Sequence, residues 1–346
     1  MNVCYILVPG MRLPPDVLSE EGFLRPYELS LGKFDGKIYE EQLVDTPLLD
    51  GGADLSWLMH FFHISGPVPP TGAYEWCADG GPDMNSEIWR LHEFHNKDGV
   101  LYETEPFSEQ ERDLLYRKMA AAAENFGFHL QQWGNRWYLS RFKDWGVQTR
   151  PWRLQRGRKF DENAYTDNAE GSFRKFLDCV EHLLRDSPVS KSRASAGFQR
   201  VDGLYPDGGS RRRLIKKNDV RAVLADAGYI RGWAQNAGLL SHRTVKLRGS
   251  WPEAPEGSLL AVVDTLYESY RNKDWERWRS LLPEVLSQAG GLAATAKKRR
   301  AGTLMLVASG RVTARVAQFS LNRPFLFSGN LTTKDFPLER LLKEEV

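Results

Sequence analysis

Two stretches of this 346-residue chain carry residue types that could grip a charged ligand. The first is Gly208-Gly209-Ser210 followed at once by Arg211, Arg212 and Arg213. Glycines let backbone N–H groups face an anion, and guanidiniums add charge-assisted donors. The phosphate-loop pattern G-x-x-x-x-G-K-[ST] is absent, because the arginines follow Gly-Ser directly. The second stretch runs from Arg150 to Lys159, where Arg150, Arg156 and Arg158 are interleaved with Trp152. Such a mixture can contact phosphates and stack on a base. With Arg211 to Lys217 and Lys297 to Arg300 it makes three basic clusters, far apart in sequence. The plainer reading of each is a solvated face, and of the glycines a tight surface turn before it.

Metal and nucleophile chemistry has thinner support. His60 and His63 have the i,i+3 spacing that shares a helix face and can chelate, but Phe61 and Phe62 between them read as core. His92 and His95 fall on a predicted strand, where i and i+3 point to opposite faces and cannot hold one ion. Cys77, beside Asp79 and a glycine loop, is the best thiol nucleophile, although cysteines are more often buried and inert. Asp79 and Asp83 sit in a Gly-Pro loop, where turn formation is the commoner role. Neither G-x-S-x-G nor G-x-G-x-x-G occurs, which removes the nucleophile elbow and the dinucleotide fingerprint.

The elements that must position these groups follow from periodicity and breakers. Val3 to Val8 predicts a buried strand ended by Pro9-Gly10, and Leu55 to His63 a short helix before Pro67 to Gly72. Strands are predicted at Glu75 to Ala78 and Ile88 to Phe94, with a turn at Asn96 to Gly99 into Val100 to Tyr102. Ser108-x-x-Glu111 is a capping box that opens a helix closed by Gly127. Phe128 to Trp133 and Arg136 to Arg141 form a hairpin across Gly134-Asn135. Helices are predicted at Glu170 to Arg185, Val220 to Asn236, Leu259 to Asn272 and Trp275 to Ser287, with Gly290 to Arg300 a linker or exposed helix end. Thr303 to Ala308 and Val312 to Phe319 close a second hairpin.

Composition is that of a globular protein: 41% hydrophobic and 27% charged residues, with a formal net charge of +2. So small a charge does not call for a polyanion partner. Eleven tryptophans point to a large core or a recognition surface, and three scattered cysteines to a reducing compartment. No run approaches the length of a membrane span, and the opening apolar run reads as a strand, not a signal peptide.

Several segments in order resemble the RpfE-type regulatory proteins, often described as cofactor-independent phosphoglycerate mutase-like. They are Leu7 to Gly10 (LVPG), Trp76 to Asp79 (WCAD), Arg136 to Leu139 (RWYL), Leu183 to Gly197 (LLRDSPVSKSRASAG), the glycine-rich GLYPDGGS, and Ile230 to Leu239 (IRGWAQNAGL). Their colinearity over roughly residues 1 to 325 carries the resemblance. The family's His-Pro-Val-Asn appears here with Ser187 for the His and Ser190 for the Asn. Its Trp-x-Trp-Gly-Gly-Gly is altered too, with Leu204-Tyr205-Pro206-Asp207 in place of the aromatic pair and first glycine. The chain looks like a divergent member.

The resemblance implies a degenerate relative of the alkaline-phosphatase-like fold: an α/β protein with a mixed sheet flanked by helices. Its mainly helical C-terminal part would be closed by a β-hairpin. We expect an α/β region over residues 1–210 and a helical region over 211–346, or one continuous domain across both. Mutases of that superfamily use two metal ions and a Ser or Thr nucleophile, with an Asp after the first strand and late histidines. Here Pro9 takes the place of that Asp, and His242 is the last of the seven histidines. The expectation is therefore a cytoplasmic, non-catalytic regulatory protein without metal or cofactor, acting on an unidentified protein partner. Nucleic acid or another anionic ligand is the alternative, through Gly208, Gly209, Ser210, Arg211, Arg212, Arg213, Arg150, Trp152, Arg156 and Arg158. A residual phosphomutase or phosphatase comes last, and no membrane partner is expected.

Overall fold

The computed structural model describes all residues except 1, 21–22, 25–27, 30, 32, 44–45, 245–255, 322–330, 333–337 and 345–346. The chain forms two compact units, one of Met1–Asp45, Asp50–Ser65 and Ile215–Val346, the other of Thr46–Leu49 and Gly66–Leu214. The chain passes from the first unit into the second and back twice.

The first unit is a mixed seven-stranded sheet flanked by helices. Its order is Leu240–His242, Val220–Leu224, Ser258–Val262, Val3–Val8, Thr303–Ser309, Thr313–Ser320 and Lys33–Gln42. The first five of these run parallel, and the last three are joined by antiparallel pairing. Alternation along Val3–Val8 sends Cys4, Ile6 and Val8 into a core with Trp278, Leu282, Val285 and Ala289 of the helix Trp275–Lys298. Tyr5, facing the other way, meets Phe61 and Trp57 of the helix Ala53–Phe61 at ring separations of 5.1 and 6.3 Å.

Two segments expected as helix begin instead as strands. Val220–Leu224 and Ser258–Val262 join the parallel sheet, and only Gly228–Asn236 and Tyr267–Arg271 behind them are helical. Residues 211–346 therefore contribute strands to the main sheet beside their helices, and the hairpin Thr303–Ser309 with Thr313–Ser320 lies at that sheet's side as expected. A strand buried on both faces is one apolar run, which periodicity cannot separate from a buried helix. The helix from Trp275 continues to Lys298, through the residues expected as a linker or exposed helix end, because Ala289, Gly290, Ala293 and Ala296 lie buried along it. Trp278 is fully buried and Trp275 packs against the core, so this pair is structural.

The second unit is built on a five-stranded antiparallel sheet. Gly203–Ser210, Glu87–Lys97, Arg136–Arg141 and His129–Trp133 lie in that order, with Val100–Glu103 also paired to Glu87–Lys97. The helices Glu109–Glu124 and Ser172–Arg185 pack Leu115, Met119, Phe173, Phe176 and Val180 against Trp89, Leu91 and Leu139. The capping box forms as read: Glu111 N donates to Ser108 Oγ at 3.3 Å and Ser108 N to Glu111 Oε2 at 2.7 Å. Gly72–Ala78 is a helix where a strand was expected over Glu75 to Ala78. GLYPDGGS is a strand where a tight turn was expected.

Trp278 ties the long helix to the end of the first strand, since its Nε1–H donates to the Gly10 carbonyl at 2.7 Å. Trp278→Phe leaves that buried carbonyl unpaired and loses ring volume. We expect a destabilisation of about 2–4 kcal/mol, read from urea unfolding followed by circular dichroism.

Candidate functional site

Open α/β sheets hold ligands beyond the carboxyl ends of their parallel strands. In the first unit that edge is closed at its centre. Gly10 follows Pro9 with φ +68°, and a Cβ there would lie 2.7 Å from Tyr270 Cβ. Only a glycine permits both the conformation and the approach. Arg12, fully buried, pairs with Glu40 at 2.6 Å, which also holds Arg315 at 3.0 Å. Burial raises the Glu40 carboxyl, but hydrogen bonds from Thr313, Arg315 and Arg12 outweigh it and leave it lowered. Residues 342–344 lie over the same place: Leu13 N donates to Leu342 O at 2.7 Å and Glu344 N to Leu13 O at 2.9 Å. Among the described residues no group of three or more His, Cys, Asp or Glu is placed to hold a metal ion.

The second unit has a more reactive polar cluster. Gly203–Ser210 pairs with Glu87–Lys97 in the register Tyr205 to His92 and Asp207 to Arg90, and slips between Asp207 and Ser210. The glycines make this bulge possible. Gly208 has φ +61°, and an added Cβ would lie 1.6 Å from Thr71 Oγ1; at Gly209 it would lie 2.1 Å from the Trp89 ring. Ser210 Oγ is buried, accepting from Ala73 N at 3.3 Å and donating to Gly208 O at 3.1 Å. These three residues pack backbone against helix and ring.

The regular register before the bulge sets Asp207 diagonally across from His92, with Nε2 to Oδ2 at 3.4 Å. The His92 ring stacks on Trp152 at 5.4 Å and 17°. Burial raises the Asp207 carboxyl to about 7. It also holds the His92 imidazole well below its ordinary value, helped by the Arg90 charge. Both groups are thus driven towards their neutral forms. His92 Nε2, Asp207 Oδ1 and Trp152 Nε1 have no hydrogen-bond partner among the described residues. The His92 and Asp207 side chains keep 18% and 10% exposure, while Nε2 and Oδ1 are themselves buried. The pair can take up or release a proton near neutrality, but shows no bonded nucleophile.

The remaining sequence candidates are dispersed. Arg150 is buried, donating to Pro47 O at 3.1 Å and Gln155 Oε1 at 3.4 Å. Arg156 pairs with Glu103, and the Arg158 carbonyl accepts from Leu101 N at 3.1 Å. Arg211 binds Asp144 at 2.8 Å and the Asn85 carbonyl at 3.1 Å, Arg212 binds Asp83 at 3.1 Å, and the Arg213 backbone binds the Tyr74 hydroxyl at 3.1 Å. Of the ten, Trp152 alone joins Asp207 and His92. Asp79 accepts from Arg136 at 2.8 Å and from the Tyr138 hydroxyl at 2.6 Å, so it does not share a site with Asp83. Burial raises the Cys77 thiol, which keeps it protonated. His60 and His63 are both exposed at a helix end, where His63 N donates to His60 O at 3.0 Å.

Sequence reasoning missed the partner of each strand histidine. His95 Nδ1 lies 2.6 Å from Asp202 Oδ2, and Asp202 also accepts from Asn96 N at 2.8 Å. The opposite faces assigned to His92 and His95 hold: each has its own aspartate. The only signal available was that Asp202 and Asp207 flank one apolar run.

No model of a known protein family matches the chain, and no curated protein matches it. Solved structures do. A cofactor-independent phosphoglycerate mutase from Thermoplasma acidophilum DSM 1728 aligns over 92% of this chain and 90% of its own at 13% identity, with a TM-score of 0.41. The PH0037 protein from Pyrococcus horikoshii aligns over 92% and 87% at 11% identity, with a TM-score of 0.52. The second likeness shows a shared fold, and the fold is all it shows.

Stability must record the Asp207 shift. Below pH about 4 both folded and unfolded chains hold the proton; between the ordinary 3.8 and about 7 only the folded chain does. Stability therefore falls as pH rises through that window and is flat above it. We expect Asp207→Asn to remove a decline of the order of 3 kcal/mol between pH 4 and 7.5, measured by urea unfolding across that range.

Proposed function

We propose that this chain acts by binding a protein partner, as a cytoplasmic regulatory protein of the RpfE type, and not by metal-assisted phosphoryl transfer. The observation that carries this reading is the closed end of the strand Val3–Val8. A two-metal site needs open space and carboxylates there. Instead the Gly10 backbone is pressed against Tyr270, its carbonyl is held by Trp278, and the Tyr270 hydroxyl donates to Glu344 at 3.3 Å. The colinear RpfE-like segments support the same reading.

The partner surface is best sought on the second unit. Of nine large hydrophobic residues exposed among the described ones, Tyr102, Leu114, Tyr116, Trp133, Phe142, Phe198 and Leu214 belong to it. Exposed aromatics and leucines of this kind are typical binding anchors. Phe142, 76% exposed, lies beneath the Arg211 guanidinium at 5.8 Å, which couples the basic run to an apolar contact. The nucleic-acid alternative loses support from Arg150, Arg156, Arg211 and Arg212, whose hydrogen bonds and ion pairs lie within the unit. Among the described residues no helix is long and apolar enough to cross a membrane.

Two measurements test the reading together. The purified protein, supplied with manganese, magnesium, zinc or cobalt, is expected to leave 3-phosphoglycerate and p-nitrophenyl phosphate unchanged; metal-dependent turnover of either sinks it. Affinity capture from the native host is expected to retain one stoichiometric protein through moderate salt, lost with Phe142→Ala plus Leu214→Ala. Recovery of oligonucleotide that falls away as salt rises would instead favour the nucleic-acid reading.

A further inference from the structure

The turn between Thr303–Ser309 and Thr313–Ser320 holds a carboxylate in the manner of a bound anion. Glu344 is 3% exposed. Its Oε1 accepts from the backbone N–H of Arg311 at 2.5 Å and of Val312 at 3.1 Å. Its Oε2 accepts from the Tyr270 hydroxyl at 3.3 Å. Two successive backbone N–H groups converging on one oxygen make an anion-binding concavity. Gly310 borders it: a Cβ there would lie 2.4 Å from Oε1 and crowd the oxygen. Burial, and after it the Glu344 charge, raises the Tyr270 hydroxyl far above its ordinary value and keeps it a donor.

The location adds weight. The turn follows Thr303–Ser309, a parallel neighbour of Val3–Val8, at the edge where sheets of this type hold ligands. Glu344 arrives there from the short helix Leu338–Leu342, held by main-chain bonds at Leu342 and Glu344 and by Arg12 on the Lys343 carbonyl at 3.2 Å. Neither Lys343 nor Glu344 brings an apolar side chain, so lifting this segment exposes little hydrophobic surface. The Arg311 guanidinium is committed to Asp50 at 2.6 and 3.1 Å, which leaves the site with neutral donors. Neutral donors suit a small oxyanion of modest affinity.

We propose that the Arg311 and Val312 amides, the Tyr270 hydroxyl and Gly310 form an oxyanion site that Glu344 occupies from within, and that a phosphate or carboxylate group takes its place when residues 343–344 lift away. The inference goes beyond the partner-binding reading and does not rest on it. Internal occupancy makes the wild-type chain a weak anion binder, because its competent state is the minor one.

Glu344→Ala removes the internal carboxylate and leaves the donors. Thermal unfolding is followed in inorganic phosphate, formate and chloride at equal ionic strength. The variant is expected to melt below wild type in chloride and to recover by at least about 2 °C in phosphate or formate, while wild type hardly responds. Recovery in phosphate alone assigns a phosphoryl ligand; recovery in formate alone assigns a carboxylate. Adding Gly310→Ala, whose Cβ would crowd the oxygen position at 2.4 Å, is expected to abolish the recovery. A folded Glu344→Ala that melts equally in all three anions overturns the proposal, as does recovery that survives Gly310→Ala. Should Glu344→Ala fail to fold in chloride, refolding yield in phosphate and formate decides: restored yield supports the site, and none overturns it.

Discussion

The Gly10 backbone lies so close to Tyr270 that a single methyl group would separate them, and much of the first unit is arranged around that approach. It places the Gly10 carbonyl where Trp278 can donate to it, which fixes the start of the longest helix over the first strand. The same helix supplies the apolar face covering Cys4, Ile6 and Val8. Beyond Gly10 the chain turns Arg12 inward, and a buried guanidinium demands compensation. Glu40, the Lys343 carbonyl and Thr313 provide it, which draws an edge strand and residues 342–344 onto the end of the sheet. Closing this edge is thus a consequence of packing, spread over residues more than 300 positions apart.

A second close approach governs the other unit. Gly208 and Gly209 let the strand Gly203–Ser210 press on Thr71 and the Trp89 ring, and the regular register just before them sets Asp207 diagonally across from His92. The pair is only partly satisfied, since a 3.4 Å separation is long for a strong bond and two of its polar atoms lack partners. Burial takes charge off both groups. A cluster of this kind costs stability at neutral pH, and the surrounding aromatic core of Trp152, Tyr205 and Phe173 offsets it.

The arginines show why charge runs are poor guides to sites. Read along the chain, Arg211 to Arg213 and Arg150 to Arg158 look like two basic patches. In three dimensions Arg150 points into the unit while Arg156, Arg211 and Arg212 each meet a carboxylate. Those carboxylates, Glu103, Asp144 and Asp83, lie 53 to 129 residues away and carry no local mark of their role. Pairing converts apparent surface charge into structure, which a near-neutral total made possible from the outset.

The amino-acid sequence alone determined the elements whose signals are local. Ser108 with Glu111 specified a helix start, Gly134-Asn135 a hairpin, Pro9-Gly10 the end of the first strand, and alternation put His92 and His95 on different faces. In each case a few neighbouring residues suffice, because capping, turn geometry and pleating act within one or two turns of chain. Tertiary structure decided the rest. Whether Val220–Leu224 and Ser258–Val262 were strand or helix depended on a parallel sheet existing to receive them. Whether GLYPDGGS was a turn or a bulged strand depended on its pairing with Glu87–Lys97, more than 100 residues earlier. The proton affinity of Asp207 and the Glu344 carboxylate in its backbone cradle arise from burial and distant donors. Desolvation and hydrogen-bond geometry are properties of assembled neighbours, and no spacing along the chain encodes them.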